Sequence, residues 1–334
     1  MKGRAGLWYF FTMPAAVAVA HVSSPFVSAY PWSSGFGTKY SNPATLPASN
    51  GGDVSFSPSG VNIAVAHTSS PYISVYPWSP GFGTKYSNPG TLPTGNAVSV
   101  SFSPSGSDIA VAHATSPYIS AYPWSSGFGT KYSDPATLPA GTGNDASFSP
   151  SGSDIAVAHA TSPYISAYPW SSGFGTKYSD PATLPAGTGN DASFSPSGSD
   201  IAVAHATSPQ VSAYPWSSGF GTKYSNPATL PGSTCNGISF SPSGSDIAVA
   251  KGGSPYVSVY PWSSGFGTIY SNPGTAPTGT GRGVRFSSTG SDIAVAHSTS
   301  PFVSAYPWSG GFGTKYSNPG TLPASTGNKV CFSP

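Results

Sequence analysis

Charged residues are scarce in this chain. Asp, Glu, Lys and Arg make up 7% of the 334 residues, and glutamate does not occur at all, whereas an average globular protein has about 25% charged residues. The formal net charge of +2 is too small for a face that binds nucleic acid along its whole length. Low charge combined with abundant Ser, Thr, Tyr, Gly and Pro indicates a virion or an extracellular, cell-surface location.

Cysteine and long apolar segments are also scarce. The two cysteines, Cys235 and Cys331, lie far apart in the chain, and we do not expect them to reach the Cα separation of roughly 4.4–6.8 Å that a disulfide needs. The apolar run at residues 7–11 is too short for a transmembrane helix, which needs about 20 residues. No segment sustains a helical period. The sequence therefore excludes a disulfide scaffold and predicts no transmembrane span.

What the chain does contain is a 46-residue repeat. One unit has four strand-like runs, at residues 54–57, 63–67, 72–76 and 82–86, separated by turn signals such as Pro58-Ser59-Gly60. Four short strands per unit are typical of β-propellers. The sequence predicts an all-β, seven-bladed β-propeller with four antiparallel strands per blade. The repeat is marked by seven Tyr-Pro-Trp elements, whose tryptophans are Trp32, Trp78, Trp124, Trp170, Trp216, Trp262 and Trp308.

The order of motifs within a unit resembles the WD repeat. Phe-Ser-Pro-Ser-Gly is followed by Ile-Ala-Val-Ala and then by Tyr-Ile-Ser-Ala-Tyr-Pro, which is similar to the three inner strands of a WD blade. The resemblance covers nearly the whole chain and implies the propeller fold. This chain has Tyr-Pro where that family has Trp-Asp, and it lacks the Gly-His pair. The Asp–His network of the family is therefore not carried over, and the fold implies no particular function.

The ends of the repeat predict how the ring closes. Residues 13–334 are seven repeats long, and the repeat is cut inside a turn. We expect residues 329–333 to be the innermost strand of the blade whose other strands come from residues 17–40. Strands from both termini would then close the ring and remove a free sheet edge.

Residues 1–12 are surplus to the ring, so we divide the chain into an N-terminal extension, 1–12, and a propeller, 13–334. We expect the extension to be a docking or anchoring arm; a signal or leader peptide and a competing first strand are the alternatives. Five adjacent apolar side chains would form a costly exposed patch, so we expect them to bind a partner protein. They are Leu7, Trp8, Tyr9, Phe10 and Phe11.

Histidine and aspartate each recur at one repeat position. Histidines spread around a ring are too far apart to share a zinc ion with bonds of roughly 2.0–2.1 Å, so we expect each to bind loop carbonyls of its own blade, with no metal and no cofactor. Aspartates such as Asp108 follow a turn, where we expect them to cap backbone N–H groups. The histidine position holds His21, His67, His113, His159, His205 and His297, with Lys251 as the seventh member.

The aromatic residues fall into two sets. We expect the Tyr-Pro-Trp elements and the Phe of each Phe-Ser-Pro to pack between blades. A second aromatic position precedes the third strand beside a loop, where its side chains either pack or stack on sugars; Gln210 is its exception. Its members are Phe26, Tyr72, Tyr118, Tyr164, Tyr256 and Phe302.

The repeats differ mostly in two of their four connections. Alternate connections of an up-and-down blade emerge on the same face, so the variable ones share a face, and loops often carry function. Lys251 and Arg282 are singular residues in these connections. We expect both to lie in one blade and to form a positive spot that receives an anionic group of a partner.

These observations predict a non-catalytic binding or structural-assembly propeller, such as a virion or surface decoration or host-attachment component. Catalysis needs unlike residues that converge on one point, whereas near-identical repeats spread like residues around a ring, so we do not expect an enzyme. The expected partners are proteins of a larger assembly, and glycans are a second class; no nucleic acid is expected. The alternative is a lectin-like glycan binder with one shallow site per blade.

Overall fold

A computed structural model describes residues 14–334, which form seven antiparallel sheets of three strands each. Each sheet is one blade, and the inner strands of successive blades contact one another around the whole ring. This arrangement confirms the predicted seven-bladed β-propeller. We number the blades 1–7, with blade 1 containing both ends of the described chain. Residues 14–334 include no helix long and apolar enough to cross a membrane.

Each blade has an inner, a middle and an outer strand. From blade 1 to blade 7 the inner strands are β21 Gly327–Phe332, β3 Gly51–Phe56, β6 Ala97–Phe102, β9 Gly143–Phe148, β12 Gly189–Phe194, β15 Cys235–Phe240 and β18 Gly281–Phe286. The middle strands are β1 Ala16–His21, β4 Asn62–His67, β7 Asp108–His113, β10 Asp154–His159, β13 Asp200–His205, β16 Asp246–Lys251 and β19 Asp292–His297. The outer strands are β2 Val27–Pro31, β5 Ile73–Pro77, β8 Ile119–Pro123, β11 Ile165–Pro169, β14 Val211–Pro215, β17 Val257–Pro261 and β20 Val303–Pro307.

The fourth segment of each blade is not a regular strand, which corrects the predicted count of four. In blade 2 it makes a single isolated bridge, between Trp78 and Phe82. Farther along, the Tyr86 N–H donates to the carbonyl of Val75 at 2.9 Å. Pro77 ends β5 and has no N–H, and a tight turn follows it, so the hydrogen-bond ladder is interrupted after one bridge.

The two ends of the chain close the ring as predicted. Strand β21 pairs with β1 in an antiparallel register that sets Val17 opposite Phe332 and Val19 opposite Val330. Beyond the strand, the Ser333 Oγ accepts a hydrogen bond from the Ala16 N–H at 2.9 Å. Blade 1 is therefore built from both termini. The N-terminal extension, 1–12, lies outside the described residues.

The hydrophobic core lies between blades, as predicted for the Tyr-Pro-Trp and Phe-Ser-Pro aromatics. Trp78 is buried and meets Tyr40 of blade 1, Phe56 and Phe82 edge-on, each with ring centroids 5.2 Å apart. Edge-to-face contacts of this kind stabilise aromatic pairs beyond the apolar area that they bury. The same cluster recurs at the other blade boundaries.

The aspartates after the turns link blades, which corrects their predicted role as turn caps. The Asp108 N–H is capped by Ser103 Oγ at 3.0 Å. The Asp108 carboxylate accepts hydrogen bonds from the Tyr132 hydroxyl at 2.7 Å and from Nε1 of Trp170, in the next blade, at 3.4 Å. Asp154, Asp200, Asp246 and Asp292 form the same tryptophan bond to their neighbouring blades.

Candidate functional site

The inner strands place three rings of side chains along a central channel. Near-identical repeats would make each ring uniform, but the residues at these positions differ from blade to blade. From blade 1 to blade 7, the mouth ring is Asn328, Gly52, Val98, Asn144, Asn190, Asn236 and Arg282. The charged ring is Lys329, Asp53, Ser99, Asp145, Asp191, Gly237 and Gly283. The serine ring is Cys331, Ser55, Ser101, Ser147, Ser193, Ser239 and Arg285.

Side chains of the charged ring bind the inner strand of the next blade. Asp53 Oδ2 accepts a hydrogen bond from the Val100 N–H at 3.0 Å, and Asp145 Oδ2 accepts one from the Ala192 N–H at 3.1 Å. Ser99 Oγ donates to Asp145 Oδ1 at 2.7 Å. The ring is therefore a connected polar network at the centre of the molecule, and its carboxylates are held in fixed positions.

Lys329 and Asp191 form a buried ion pair across the channel. Lys329 Nζ lies 2.7 Å from Asp191 Oδ2, and the Asp191 side chain is fully buried. Burial alone would oppose ionisation of this carboxyl, but Lys329 and Arg285 outweigh it and hold the pKa of Asp191 below its usual range. Asp191 is therefore the carboxylate that stays charged.

Arg285 brings a second cation to the same place. Its Nη1 donates to the carbonyls of Ile238 and Val284 at 2.9 and 3.1 Å, and it lies 3.8 Å from Asp191 Oδ2. The side chain is 35% exposed. A guanidinium has five N–H donors, and the hydrogen bonds found among the described residues use only those on Nη1. The remaining donors can meet a ligand in the channel.

Asp145 and Asp53 have the opposite electrostatics from Asp191. Burial and the neighbouring Asp191 carboxylate raise the pKa of Asp145 to about 7, although Lys329 and Arg285 oppose the shift. Burial also raises the pKa of Asp53 above its ordinary value. A buried carboxyl that titrates near neutral pH beside fixed cations is a common feature of catalytic sites.

Two cavities follow one another along the channel. The first, of about 440 Å³, is lined by all seven members of the mouth ring together with Asn50, Thr68 and Thr280 from the variable connections. These connections therefore open at one end of the channel, as the sequence predicted. The second cavity, of about 160 Å³, is lined by Asp53, Asp145 and Arg285 with side chains of the serine ring. The mouth cavity has the size of an ordinary small-molecule site.

The structure separates Lys251 from Arg282. Lys251 ends β16 in blade 6, is buried, and donates from Nζ to the carbonyl of Pro231 at 2.7 Å. Arg282 belongs to β18 in blade 7, where its side chain is exposed in the mouth cavity. They do not share a blade, which corrects that expectation, and Lys251 adds no exposed charge. Binding of a partner protein at either residue stays a prediction.

Each histidine forms a hydrogen bond within its own blade, but the predicted bond to a loop carbonyl is made by His21, His67 and His113 only. Among the described residues, Nδ1 of His159, His205 and His297 has no partner. His21 Nδ1 lies 2.8 Å from the Ser23 carbonyl and Nε2 lies 3.0 Å from Ser28 Oγ. Burial lowers the pKa of His21 to about 4, so the ring is neutral at pH 7. Among residues 14–334, no three His, Cys or Asp side chains are close enough together to hold a metal ion.

The second aromatic set closes a turn in each blade. Its residues, and Gln210 at the same position, adopt φ angles between 66° and 71°. All of them are partly buried. The carbonyl of Phe26, for example, accepts a hydrogen bond from the His21 N–H at 3.0 Å. The docking arm, Leu7, Trp8, Tyr9, Phe10 and Phe11, lies outside the described residues and stays a prediction.

Sequence reasoning missed the carboxylates and the lysine of the charged ring. It also did not connect Arg285 with Asp145, Asp191 or Lys329. The signal was present, because the seven copies carry four different residues at each of the two adjacent positions that begin with Gly52 and Asp53. In a propeller, residues of the inner strand face one channel, so variation there brings unlike residues together.

No protein-family model and no curated protein matches the sequence. Several solved structures do resemble the fold. A periplasmic gluconolactonase of Pseudomonas aeruginosa is 15% identical, with a TM-score of 0.73 over 96% of this chain and 99% of that one. A putative 6-phosphogluconolactonase of Bacteroides uniformis is 16% identical, with a TM-score of 0.70 over 96% and 100%. Hydrazine synthase of Kuenenia stuttgartiensis is 15% identical, with a TM-score of 0.64 over 92% and 99%.

Likenesses at this level of identity establish the fold alone, a seven-bladed propeller. They nevertheless correct the functional predictions. Structures that match this ring over their full length carry the names of lactonases. The prediction that a ring of near-identical repeats is not an enzyme is therefore wrong. The non-catalytic assembly role and the lectin-like alternative are both withdrawn. The inference failed because it treated the ring as symmetric, whereas the channel is where the symmetry is broken.

Proposed function

We propose that this protein is a hydrolase that opens lactone rings at the charged ring of its channel. The observation that carries the proposal is the Asp145 carboxyl, 3% exposed and with a pKa raised to about 7, in one cavity with Arg285. The names of the structural neighbours, gluconolactonase and 6-phosphogluconolactonase, give the substrate class its support.

Lactone opening needs a base, an acid and a cation, and these residue types meet here. Near neutral pH the Asp145 carboxyl is present in both protonation states. As carboxylate, it accepts a proton from a water molecule whose oxygen forms a bond to the lactone carbonyl carbon. Arg285 donates hydrogen bonds to the oxyanion that develops on the carbonyl oxygen.

The second half of the reaction uses the same two residues. The bond between the carbonyl carbon and the ring oxygen breaks, and protonated Asp145 returns its proton to that oxygen, which leaves as a hydroxyl group. The product is a hydroxy acid, and no electron donor or acceptor is involved. Lys329 and Asp191 act as positioning residues, because their pair fixes the charge beside Asp145 and Arg285.

The reaction is tested by titrating the acid released from D-glucono-1,5-lactone, with spontaneous opening subtracted. We expect the protein to accelerate opening and Asp145→Asn to lower kcat/KM by a factor of about 10²–10⁴, the usual contribution of a general base. Asp134→Asn is the matched control, since Asp134 is exposed and the equivalent residue in several other repeats is Asn, as at Asn88. No acceleration of any lactone, or an Asp145→Asn variant as active as the wild type, would refute the proposal.

We also propose that the blades derive from a WD-repeat-like unit. The support is the order of the Phe-Ser-Pro-Ser-Gly turn and the strands on either side of it, which the chain repeats at each blade.

A further inference from the structure

We propose that the mouth cavity is a subsite for a polyhydroxy substrate that carries an anionic group, and that Arg282 binds this group. The inference rests on the proposed function, which puts bond breaking at the charged ring, one layer deeper in the channel. It adds the chemical class of the substrate and a residue that selects for it.

The first observation is a set of oriented amides in the mouth ring. Asn144 Nδ2 donates to the Gly189 carbonyl at 2.8 Å, and Asn190, Asn236 and Asn328 make the same bond to their next blades. Each amide is thereby held with its NH₂ group on the protein. Among residues 14–334, no donor reaches Oδ1 of Asn144, Asn190 or Asn236. A partly fixed row of carbonyl acceptors is suited to the hydroxyl groups of a polyol.

The second observation is the charge of Arg282. The other six members of the mouth ring are uncharged. Among the described residues, the Arg282 guanidinium has no hydrogen bond or salt bridge to a protein group, and its side chain is exposed. Lys329, which also lines this cavity, is already paired with Asp191. Arg282 is therefore the cation in the cavity that can receive a ligand, and a guanidinium binds phosphate or carboxylate oxygens in pairs.

The anion subsite and the reacting groups lie at different depths in the channel. Arg282 precedes Gly283 of the charged ring in β18, so the anion subsite lies on the entrance side of the reacting group. A substrate that enters with its lactone leading would leave its far end beside Arg282. A lactone with a phosphate or a carboxylate at the end opposite its ring carbonyl fits this arrangement.

Binding can be measured without turnover by calorimetry with two sugar acids, gluconate and 6-phosphogluconate. We expect 6-phosphogluconate to bind at least tenfold more tightly than gluconate to the wild-type protein. Arg282→Asn, which installs the residue of four sister repeats, should remove this preference. Val98→Asn is the matched control, because it alters the same ring without changing charge, and it should retain the preference.

An unchanged preference for the phosphorylated acid in Arg282→Asn, including an equal loss of affinity for both acids, would overturn the inference. A failure of the proposed hydrolysis is seen separately, since it leaves these binding constants measurable. If lactones are opened, the KM for the 6-phosphate of gluconolactone should rise at least tenfold in Arg282→Asn, with kcat unchanged. An equal KM in the variant and the wild type would also contradict the anion subsite.

Discussion

Lys329 of blade 1 reaches Asp191 of blade 5 across the two blades between them, and the charged ring has glycine in both of those blades. A Cβ atom at Gly283 would lie 3.0 Å from Cα and Cδ of Lys329, and one at Gly237 would lie 3.0 Å from Cα of Gly283. The absence of two side chains therefore opens the path along which the lysine extends. The ion pair therefore depends on Gly283, which lies directly against Lys329, as well as on its two charges.

Gly283→Ala should accordingly destabilise the protein. Its methyl group would press on the backbone and on the stem of Lys329, and overpacking of this kind typically costs about 1–3 kcal/mol. Urea unfolding followed by tryptophan fluorescence measures the change. Gly320→Ala is the control, because a Cβ there meets nothing within 4 Å. A Gly283→Ala variant as stable as this control would show that Lys329 does not need the path.

Removal of the Asp191 charge should be more damaging than removal of both charges. Asp191→Asn leaves the buried Lys329 beside a neutral group, and breaking a buried pair in this way typically costs about 3–5 kcal/mol. The double variant Asp191→Ser, Lys329→Ser installs the residue that Ser99 provides at the same ring position. We expect the double variant to lose less unfolding free energy than Asp191→Ser and Lys329→Ser lose in sum when each is made alone. Strict additivity would mean that the two residues do not interact.

Asp145 should make the protein less stable as the pH rises from about 4 to 7. Its pKa is about 7 in the folded chain against an ordinary value of 3.8, so over this range the folded state keeps a proton that the unfolded state has lost. The unfolding free energy should therefore fall by up to about 1.4 kcal/mol per pH unit through this group. Above the folded pKa the loss is complete and the profile levels off.

Asp145→Asn isolates this effect, because every other titrating group is retained. We expect the difference in unfolding free energy between the variant and the wild type to move in favour of the variant as the pH rises through the window. Thermal or urea unfolding at several pH values provides the measurement. Parallel stability profiles for the two proteins would show that Asp145 titrates at an ordinary pKa.

Ring closure predicts the effect of shortening the C-terminus. Deletion of residues 330–334 removes half of β21, including Val330, which is 2% exposed, and with it three of the five residue pairs that join β21 to β1. Loss of a buried Val and of the partly buried Phe332 should lower the unfolding free energy by at least about 3 kcal/mol. Deletion of the exposed Pro334 alone is the control. Equal stability of the two truncated chains would argue against closure by β21.

The sequence predicted the ring but not the site, for a physical reason. The period of the tryptophans determines the number of blades, and the cut in the repeat determines that β21 joins β1. Contacts within and between blades follow from features shared by all copies. The site depends on differences between copies, and its members lie far apart in the chain; Lys329 and Asp191, which form an ion pair, are 138 residues apart. The predicted fourth strand does not form as a regular strand for a local reason, since Pro77 interrupts the ladder.

The pKa values could not be read from the sequence either. Asp145 and Asp191 each follow an Asn in identical stretches of sequence. The pKa of Asp145 is nevertheless raised, whereas the pKa of Asp191 is lowered. What separates them is which carboxylate Lys329 and Arg285 approach. That choice is made only when the ring closes, so identical local sequence gives opposite chemistry.

Trp78 and Trp124 lack the aspartate bond that the other five Tyr-Pro-Trp tryptophans make, and Trp124 provides a stabilising prediction. Trp124 Nε1 is buried without a hydrogen-bond partner, because the place held by aspartate in five other repeats is held here by Asn62. Asn62 Oδ1 accepts a hydrogen bond from the Tyr86 hydroxyl at 3.0 Å, so the amide has only an NH₂ group left, which cannot accept from the indole. Asn62→Asp supplies the missing acceptor and should raise the unfolding free energy by about 1–3 kcal/mol, the cost of a buried donor left unpaired.

The reverse change, Asp154→Asn, should remove the bond that Trp216 makes at 3.4 Å and lower stability by a similar amount. Melting temperatures of the two variants at pH 7 test the pair, and a shift in the same direction for both would contradict the role of the carboxylate.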